Sequence, residues 1–453
     1  MQSLISCLAI TIIAACASAG EVAWNAGVAS ASITPKGPMW MAGYASRTRP
    51  SEGAVHDLKV KALALEDPAG KRVVFLTSDL ISVPAPLRKH VAEQAQQKFQ
   101  LPSECLMMNC SHTHCGPEIR TTRWSLEGLP SDRLQAANRY VTLLQQKMIT
   151  VIGAAIDNLE PARISYCRAR CGFAMNRRTP SATGFKNFPN PAGPVDHDVP
   201  VLKIQAADRK TLRAVMFGYA CHNTTIGFYQ FCGDYAGFAQ QYLEEAHPDA
   251  VALFVMGCGG DQNPYPRRTL ELAQQHGRSL ANAVETALLT ADTPVSGSLE
   301  TRMADAELHY GAPPTRKQLE EKAESTNRYD RLHGQRLLKQ LAEQGQLTAS
   351  YQAPVQTIRL GDALTIVALP GETVVDYSLR LKAELRTDED SPAIWVAGYS
   401  NDVFAYIPSR RVLLEGGYEA GGAMRYMTTV LQHGPFREDV EDILVRTVHQ
   451  LLR

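Results

Sequence analysis

Short apolar runs alternate with longer amphipathic segments along most of the chain. The short runs are rich in Val, Ile, Leu and Ala and stop at turn residues, which is typical of buried strands. Strands are predicted at Trp24–Pro35, Leu58–Leu65, Arg72–Leu80, Glu104–Met108, Arg163–Ala174, Val199–Ile204, Ala214–Ala220, Ala252–Met256, Asp362–Leu369 and Ala393–Tyr399.

The longer segments carry apolar residues at helical spacing. Helices are predicted at Pro86–Phe99, at Leu134–Leu159, from a cap at Gly233 to about Ala246, at Thr373–Leu385 and at Asp439–Leu452. Residues 315–346 are dense in Lys, Glu, Arg and Gln, which indicates exposed helices whose charges face solvent. Because strands and helices alternate, the predicted class is α/β or layered α+β.

The connecting segments predict loops and one large domain. Arg178–Pro194 is rich in Pro, Gly and Asn and is predicted to be a loop. The carboxylates of Asp196-His197-Asp198 could form a metal or base site, but a solvated turn is the favoured interpretation. We find no internal repeat and no low-complexity linker, so a single catalytic-type domain is predicted for residues 20–453.

The first 19 residues predict an export signal. An apolar run from Leu4 to Ala15 is followed by Ala17-Ser18-Ala19, a small-x-small cleavage pattern. The expected location is therefore secreted or periplasmic, with a signal peptide at residues 1–19. An alternative is a lipoprotein anchored through Cys16, because the residues before it resemble a bacterial lipobox.

The charge balance bears on the class of binding partner, and the cysteine content bears on disulfides and zinc sites. Lys plus Arg and Asp plus Glu each number 46, so nothing indicates nucleic-acid binding. Eight cysteines follow the predicted signal peptide, and export makes disulfides plausible, with Cys167 and Cys171 as a candidate pair. A cysteine-based zinc site is weakly supported because no CxxC pair recurs.

Candidate chemistry is concentrated in one short run, Ser111-His112-Thr113-His114-Cys115-Gly116-Pro117, which follows a predicted strand. In an extended strand, side chains two residues apart share a face, so both imidazoles are expected in one cleft. A His-x-His pair is also common by chance. This spacing therefore leaves a metal site and an ordinary histidine pair both open.

Other residues with ligand atoms follow predicted strands or turns. His222, Glu372 and Tyr406 offer nitrogen or oxygen donors of the kind that zinc accepts. Glu372 has a second interpretation as a carboxylate in the first turn of a helix. The glycine-rich turn at residues 257–264 lacks the Lys-Ser/Thr of a phosphate-binding loop.

Taken together, these motifs resemble the catalytic domain of the neutral/alkaline, non-lysosomal ceramidase family. The resemblance covers about Trp24 to Arg453. Its motifs are Ser111 to Pro117, Asn176-Arg177, His222, Gly260-Asp261, Pro370-Gly371-Glu372, and Tyr406 with Tyr418. The family's fold, a sandwich of mixed β-sheets flanked by helices, is therefore the expected fold.

The resemblance implies a zinc-dependent amide hydrolase. The implied substrate is ceramide or a related N-acyl lipid, cleaved to a fatty acid and a free amine, with contact to a membrane surface as a further expectation. The implied zinc ligands are His112, His222, Glu372 and Tyr406. The implied catalytic residues are His114 and Tyr418 at the substrate's amide oxygen, Arg177 and Asp261 near the cleft, and Asn263 as an orienting group.

Three features depart from the family pattern. Asn263 stands where the family usually has a serine, and the family's His-Pro-Thr motif reads His222-Asn223-Thr224. The family's C-terminal β-sandwich domain is also expected to be absent. Two other functions therefore stay open: a zinc hydrolase of another envelope amide or ester, and a non-catalytic binding protein on the same fold.

Overall fold

The computed structural model describes residues 24–120, 131–208, 210–386, 388, 391–426 and 429–453. The predicted signal peptide, residues 1–19, and Cys16 lie outside the described residues. Within the described residues the strands are β1 (Trp24–Ser32), β2 (Lys59–Glu66), β3 (Arg72–Ser78), β4 (Leu106–Cys110), β5 (Glu160–Arg170), β6 (Ala174–Ser181), β7 (Gly184–Asn190), β8 (Asp198–Ala206), β9 (Leu212–Tyr219), β10 (Val251–Met256), β11 (Gln262–Pro264), β12 (Thr293–Pro294), β13 (Leu299–His309), β14 (Ser350–Leu360), β15 (Leu364–Ala368), β16 (Glu372–Thr373), β17 (Ala393–Ala397) and β18 (Tyr406–Ile407).

Helices lie between these strands along the described residues. They are α1 (Ala85–Phe99), α2 (Ser131–Asp157), α3 (Asp234–Ala246), α4 (Leu270–Leu289), α5 (Arg316–Ala323), α6 (Arg328–Gln344), α7 (Val375–Leu385), α8 (Arg410–Glu415) and α9 (Val440–Leu451). No helix among the described residues has the length and apolar composition needed to cross a membrane.

Two mixed sheets form the centre of the fold. The large sheet has the strand order β10-β9-β8-β5-β1-β2-β3-β4, with β12 added beside β5. Its β9–β10 and β3–β4 pairs are parallel and its other pairs are antiparallel. The second sheet has the order β13-β14-β15-β17, of which only the β15–β17 pair is parallel.

The strands of the large sheet are apolar on both faces, which explains why they were predictable. In β2, Leu63 and Leu65 belong to a core that also contains Ile358 and Trp395 of the second sheet. Alternate β2 residues such as Val60 belong to a separate core with side chains from α1 to α4. Alternate residues of each strand therefore face the helices on one side and the second sheet on the other. The result is a sandwich of sheets flanked by helices, and the predicted fold class is confirmed.

The helices cover the outer faces of the sandwich. Helices α1 to α4 pack on the large sheet, while α7 and α9 share a third apolar core with the second sheet. Helices α5 and α6 form a charged pair between β13 and β14. The prediction of exposed helices in residues 315–346 is therefore confirmed.

Two predictions about connecting segments were wrong. Arg178–Pro194 is not a loop, because β6 and β7 form an antiparallel hairpin there. The strand β7 is mostly exposed and polar, so it lacks an apolar alternation that could reveal it. Asp196 does not lie in a solvated turn: it is buried and accepts hydrogen bonds from Ser378 (2.6 Å) and Lys382 (2.7 Å).

The cysteine prediction was also wrong for the proposed pair. All eight cysteines among the described residues are buried free thiols. Cys167 lies in β5 and Cys171 directly follows it, so an extended backbone holds them roughly 13 Å apart, beyond the reach of a disulfide.

A buried carboxylate at the start of α1 makes stability depend on pH. Asp402 accepts hydrogen bonds from the Ala85 amide and the Tyr351 hydroxyl. Burial nevertheless raises the pKa of Asp402 from 3.8 to about 7. The folded chain therefore binds more protons than the unfolded chain between these values, and the free energy of unfolding falls as pH rises through this window.

We expect Asp402→Asn to flatten this pH dependence, since the amide mimics the protonated acid. In urea unfolding, wild-type protein should lose about 2 kcal/mol more stability than the variant between pH 5 and pH 8. Equal losses in the two proteins would contradict the assignment.

Candidate metal centre

His112 lies two residues beyond the end of β4, where the backbone turns. Its φ is 60°, so the strand does not continue through the His-x-His pair. The ring Nδ1 lies 2.6 Å from the carbonyl oxygen of Ile81. Because Nδ1 donates its proton to this carbonyl, the lone pair of Nε2 is free to bind a metal.

His222 follows β9 and has the same arrangement. Its Nδ1 lies 2.7 Å from the carbonyl oxygen of Gly259, so Nε2 is again the free nitrogen. Burial, together with the charge of Arg177, lowers the pKa of His222 to about 4. The imidazole is therefore neutral at physiological pH, as a metal ligand must be.

Glu372 reaches the two histidines from the start of the short strand β16. The preceding Gly371 has a φ of +66°, and a Cβ there would lie 2.7 Å from the carbonyl oxygen of Ala405. Glycine is therefore required at this turn. One carboxylate oxygen of Glu372, Oε2, lies 3.2 Å from Nε2 of His112 and 3.2 Å from Nε2 of His222.

Tyr406 is brought beside Glu372 by strand pairing. The short strands β16 and β18 are parallel, and Glu372 is paired with Tyr406. The Tyr406 hydroxyl lies 3.1 Å from Nε2 of His222. The four predicted zinc ligands thus come from four different chain segments and meet at one buried point.

The spacing of these four donors fits a zinc ion. Oε2 of Glu372 lies 3.2 Å from Nε2 of each histidine, and the Tyr406 hydroxyl lies 3.1 Å from Nε2 of His222. Ligand atoms about 2.0 to 2.2 Å from one zinc ion would lie about 3 Å from their neighbours, so these donors could hold the ion together. Burial alone would raise the pKa of Glu372, but the neighbouring His112 and His222 lower it well below its ordinary value. The carboxylate is therefore ionised and ready to bind a cation.

His114 joins this group but differs from the other two histidines. Its Nε2 lies 3.2 Å from Nε2 of His112, and the donor atoms of His112, His114 and His222 lie within 4.8 Å of one another. Its Nδ1 is buried and has no hydrogen-bond partner among the described residues. His114 therefore lacks the backbone carbonyl partner that fixes the tautomers of His112 and His222.

Tyr418 lies at the exposed side of the site. Gly416 and Gly417, with φ of 72° and 89°, turn the chain before it. Its ring centroid is 5.4 Å from that of Tyr406, and Tyr418 is 37% exposed whereas Tyr406 is buried. Tyr418 can therefore contact a molecule that approaches from solvent.

Arg177 is buried beside the candidate ligand Tyr406. Its guanidinium donates to Glu419 (2.8 Å), Asn263 (3.3 Å) and the Tyr406 hydroxyl (3.1 Å). Asn263 also accepts from Thr224 and donates to Asn187, both at 3.2 Å. The amide of Asn263 is thus engaged on both sides and holds Arg177 in place.

Asp261 is buried near Arg177 and Asn263. Its carboxylate accepts from Asn176 (3.0 Å) and from the amide of Val375 (2.9 Å), the first residue of α7. Burial raises the pKa of Asp261 to about 6. Its contacts stabilise the turn that carries Glu372.

The structure adds Tyr399, which was not among the predicted site residues. Its hydroxyl lies 3.3 Å from Oε2 of Glu372, and its ring packs 4.6 Å from the ring of His112. Tyr399 ends the predicted strand Ala393–Tyr399. The rule that drew attention to His222, a polar residue at the end of a strand, could have found it.

Comparison with known proteins identifies the family and similar folds. The model of the family described as neutral/alkaline non-lysosomal ceramidase, N-terminal, matches residues 24–265. No curated protein sequence gives a significant match. The neutral ceramidase from Pseudomonas aeruginosa has a similar structure, with a TM-score of 0.73 and 17% identity over 95% of this chain and 74% of that chain. A ceramidase complexed with C2 has a TM-score of 0.69, also at 17% identity, over 95% and 76% of the two chains.

Proposed function

Because the chain belongs to the neutral/alkaline non-lysosomal ceramidase family, we propose that it is a zinc-dependent amide hydrolase. The proposed substrate is ceramide or a related N-acyl lipid, which is split into a fatty acid and a free amine. A lipid-like substrate is also supported by a structural neighbour that is a ceramidase complexed with C2.

The observation that carries the proposal is the meeting of His112, His222, Glu372 and Tyr406, with neighbouring donor atoms 3.1 to 3.2 Å apart. Two backbone carbonyls fix the tautomers of the histidines, so both Nε2 lone pairs point to the same place. Zinc held beside these four donors would lower the pKa of a water molecule bound with them and would polarise a substrate carbonyl.

The protein's own residues supply orientation and hydrogen bonds. Arg177 donates to the Tyr406 hydroxyl, which favours the negative charge that a metal-binding phenolate carries. His114 and Tyr418 are proposed to hydrogen-bond the amide oxygen of the substrate, where negative charge develops during cleavage. One well-placed donor of this kind stabilises the transition state by roughly 3–4 kcal/mol.

The leaving amine must gain a proton, and His114 is the better candidate to transfer it. Its ring lies beside the free Nε2 of His112 and keeps an unpartnered Nδ1 among the described residues. Asp261, another titratable group expected near the cleft, has both carboxylate oxygens engaged by Asn176 and Val375. A general acid must be within hydrogen-bond reach of the reacting group, which favours His114.

A panel of substrates tests the proposed function. Purified protein would be incubated with N-acylsphingosines of several chain lengths, simple N-acyl amines and carboxylic esters, and products would be identified by mass spectrometry. Release of sphingosine and fatty acid, abolished by a chelator and restored by zinc, is the expected result. If only esters were cleaved, the substrate would be an ester and not ceramide. If no compound were cleaved, a non-catalytic binding protein would be favoured.

We also propose that the mature protein lies outside the cytoplasm, because an apolar run precedes Ala17-Ser18-Ala19. Intact-mass measurement on natively expressed protein should give a chain beginning near Gly20, or one beginning at a lipidated Cys16. A cytoplasmic chain that retains Met1 would exclude both.

A further inference from the structure

Tyr399 contacts the candidate metal centre without being one of its four proposed ligands. The side chain is fully buried, and its hydroxyl lies 3.3 Å from Oε2 of Glu372. This oxygen is the one that both His112 and His222 approach at 3.2 Å. The Tyr399 ring also packs against the imidazole of His112, with centroids 4.6 Å apart.

The backbone of Tyr399 adopts a conformation that bulky residues rarely use. Its φ is 51°, in the left-handed region. Such outliers persist only where surrounding contacts enforce them, and they cluster at functional sites. His112 has a φ of 60°, so two residues in this uncommon conformation meet ring to ring at the centre.

The contacts that enforce this conformation tie Tyr399 to the turn that carries Glu372. The Tyr399 amide donates to the carbonyl oxygen of Gly371 at 3.0 Å. The adjacent Gly398 has no space for a side chain, because a Cβ would lie 2.7 Å from Oγ1 of Thr373. The hydroxyl and the carboxylate are therefore held by the same rigid piece of backbone.

A second group of contacts ties the segment to the strand that leads to His112. Asn109, in β4, donates to the carbonyl oxygen of Gly398 (2.9 Å) and to Oγ of Ser400 (3.1 Å). The Asn401 amide donates to the carbonyl oxygen of Met108 at 2.7 Å. Tyr399 thus bridges the two chain segments that present Glu372 and His112.

We propose that Tyr399 is a positioning residue that fixes the orientation of the Glu372 carboxylate toward the metal. The inference rests on the proposed function, since it assigns Tyr399 a role at the zinc site. A carboxylate rotates freely unless a neighbouring donor holds one oxygen. A hydroxyl bond to Oε2 removes that freedom before the metal binds, which raises metal affinity.

The test measures zinc affinity of the full chain by competition with a chromophoric chelator. Tyr399→Phe keeps the ring and removes only the hydroxyl, and we expect zinc binding to weaken by about 10- to 100-fold. The visible spectrum of the Co²⁺-loaded variant should also differ from that of the wild type, because the ligand geometry changes.

Tyr140→Phe is the matched control. Tyr140 is also buried, and its hydroxyl donates to the carbonyl oxygen of Ile33 at 2.6 Å, away from the metal centre. This variant should keep wild-type zinc affinity and an unchanged Co²⁺ spectrum. Thermal unfolding of both apoproteins shows whether the two lost hydroxyl bonds cost similar stability.

Two results for Tyr399→Phe would overturn the proposal. Wild-type zinc affinity and an unchanged spectrum in Tyr399→Phe would overturn it. A loss as large as that of Glu372→Ala would also overturn it, because the hydroxyl would then be a ligand. If wild-type protein binds no zinc, the proposed function itself fails, and this outcome is distinct from a failure confined to the variant.

Discussion

His112→Ala should abolish zinc binding and amide hydrolysis together. The substitution removes one of four donors, and the remaining His222, Glu372 and Tyr406 would leave the ion incompletely held. Oε2 of Glu372 would also lose a neighbour at 3.2 Å, so the carboxylate would be less well oriented. We expect kcat/KM to fall by at least about 10³-fold, which corresponds to about 4 kcal/mol of transition-state stabilisation.

A second buried histidine provides the control for His112→Ala. His333, in α6, is also buried and hydrogen-bonded to a backbone carbonyl, that of Gln432, at 2.7 Å. His333→Ala should lower stability but retain zinc and most activity in the folded fraction. Metal content by mass spectrometry and initial rates on the same preparations would compare the two. A His112→Ala protein that retains both zinc and activity would contradict the ligand assignment.

Arg177→Met should reduce both activity and stability, because Arg177 joins a buried ion pair to Tyr406, a proposed metal ligand. The guanidinium pairs with Glu419 and donates to Tyr406. Removing one partner of a buried ion pair destabilises a protein by about 3 kcal/mol. Loss of the bond to Tyr406 should lower kcat/KM by a further 10²- to 10³-fold, comparable to removing one active-site donor.

The neighbouring Arg178 separates these two effects. Arg178 is equally buried and pairs with the same Glu419 at 2.6 Å, but its other partners are Glu415 and the carbonyl oxygen of Gly416. Arg178→Met should therefore destabilise the fold similarly while keeping kcat/KM of the folded enzyme within about tenfold. Urea unfolding and steady-state rates on both variants test this. Equal loss of activity in the two would show that Arg177 acts only through the ion pair.

The strands were predictable where both faces are apolar. In β2 and β3, residues on one face pack against helices and alternate residues pack against the second sheet, so the whole run is hydrophobic. The hairpin of β6 and β7 was missed because its second strand is exposed and has no apolar face. Strands β13 and β14 were also missed. The outward-facing residues of β13 are largely charged and polar, and β14 is buried but has Gln, Thr and Pro among its apolar residues.

His112 and His114 are neighbours, as predicted, but the reason given for it was wrong. Strand alternation was expected to put His112 and His114 on one face. The strand ends at Cys110, and the two Nε2 atoms meet at 3.2 Å because the backbone turns at His112. A turn of this kind depends on contacts from distant segments, such as the Ile81 carbonyl, which local sequence does not specify.

Long-range contacts also explain why the role of Tyr399 was not predicted, although its place at the end of a predicted strand could have marked it as a candidate. Its role depends on the pairing of Glu372 with Tyr406 and on the bond between Tyr399 and Gly371. Neither pairing has a signal in hydrophobic periodicity, because β16 and β18 are only two residues long. The resemblance to a family supplied the four donors, but their supporting contacts required the structure.

The most direct test of zinc-dependent N-acyl amide hydrolysis is a zinc titration of the chelator-treated wild-type protein. Release of sphingosine from an N-acylsphingosine would be followed at each zinc-to-protein ratio. Apoprotein should be inactive, and the rate should rise linearly until one zinc per chain is bound and then stay constant. Sphingosine release by apoprotein, or no release from protein saturated with zinc, would contradict this expectation.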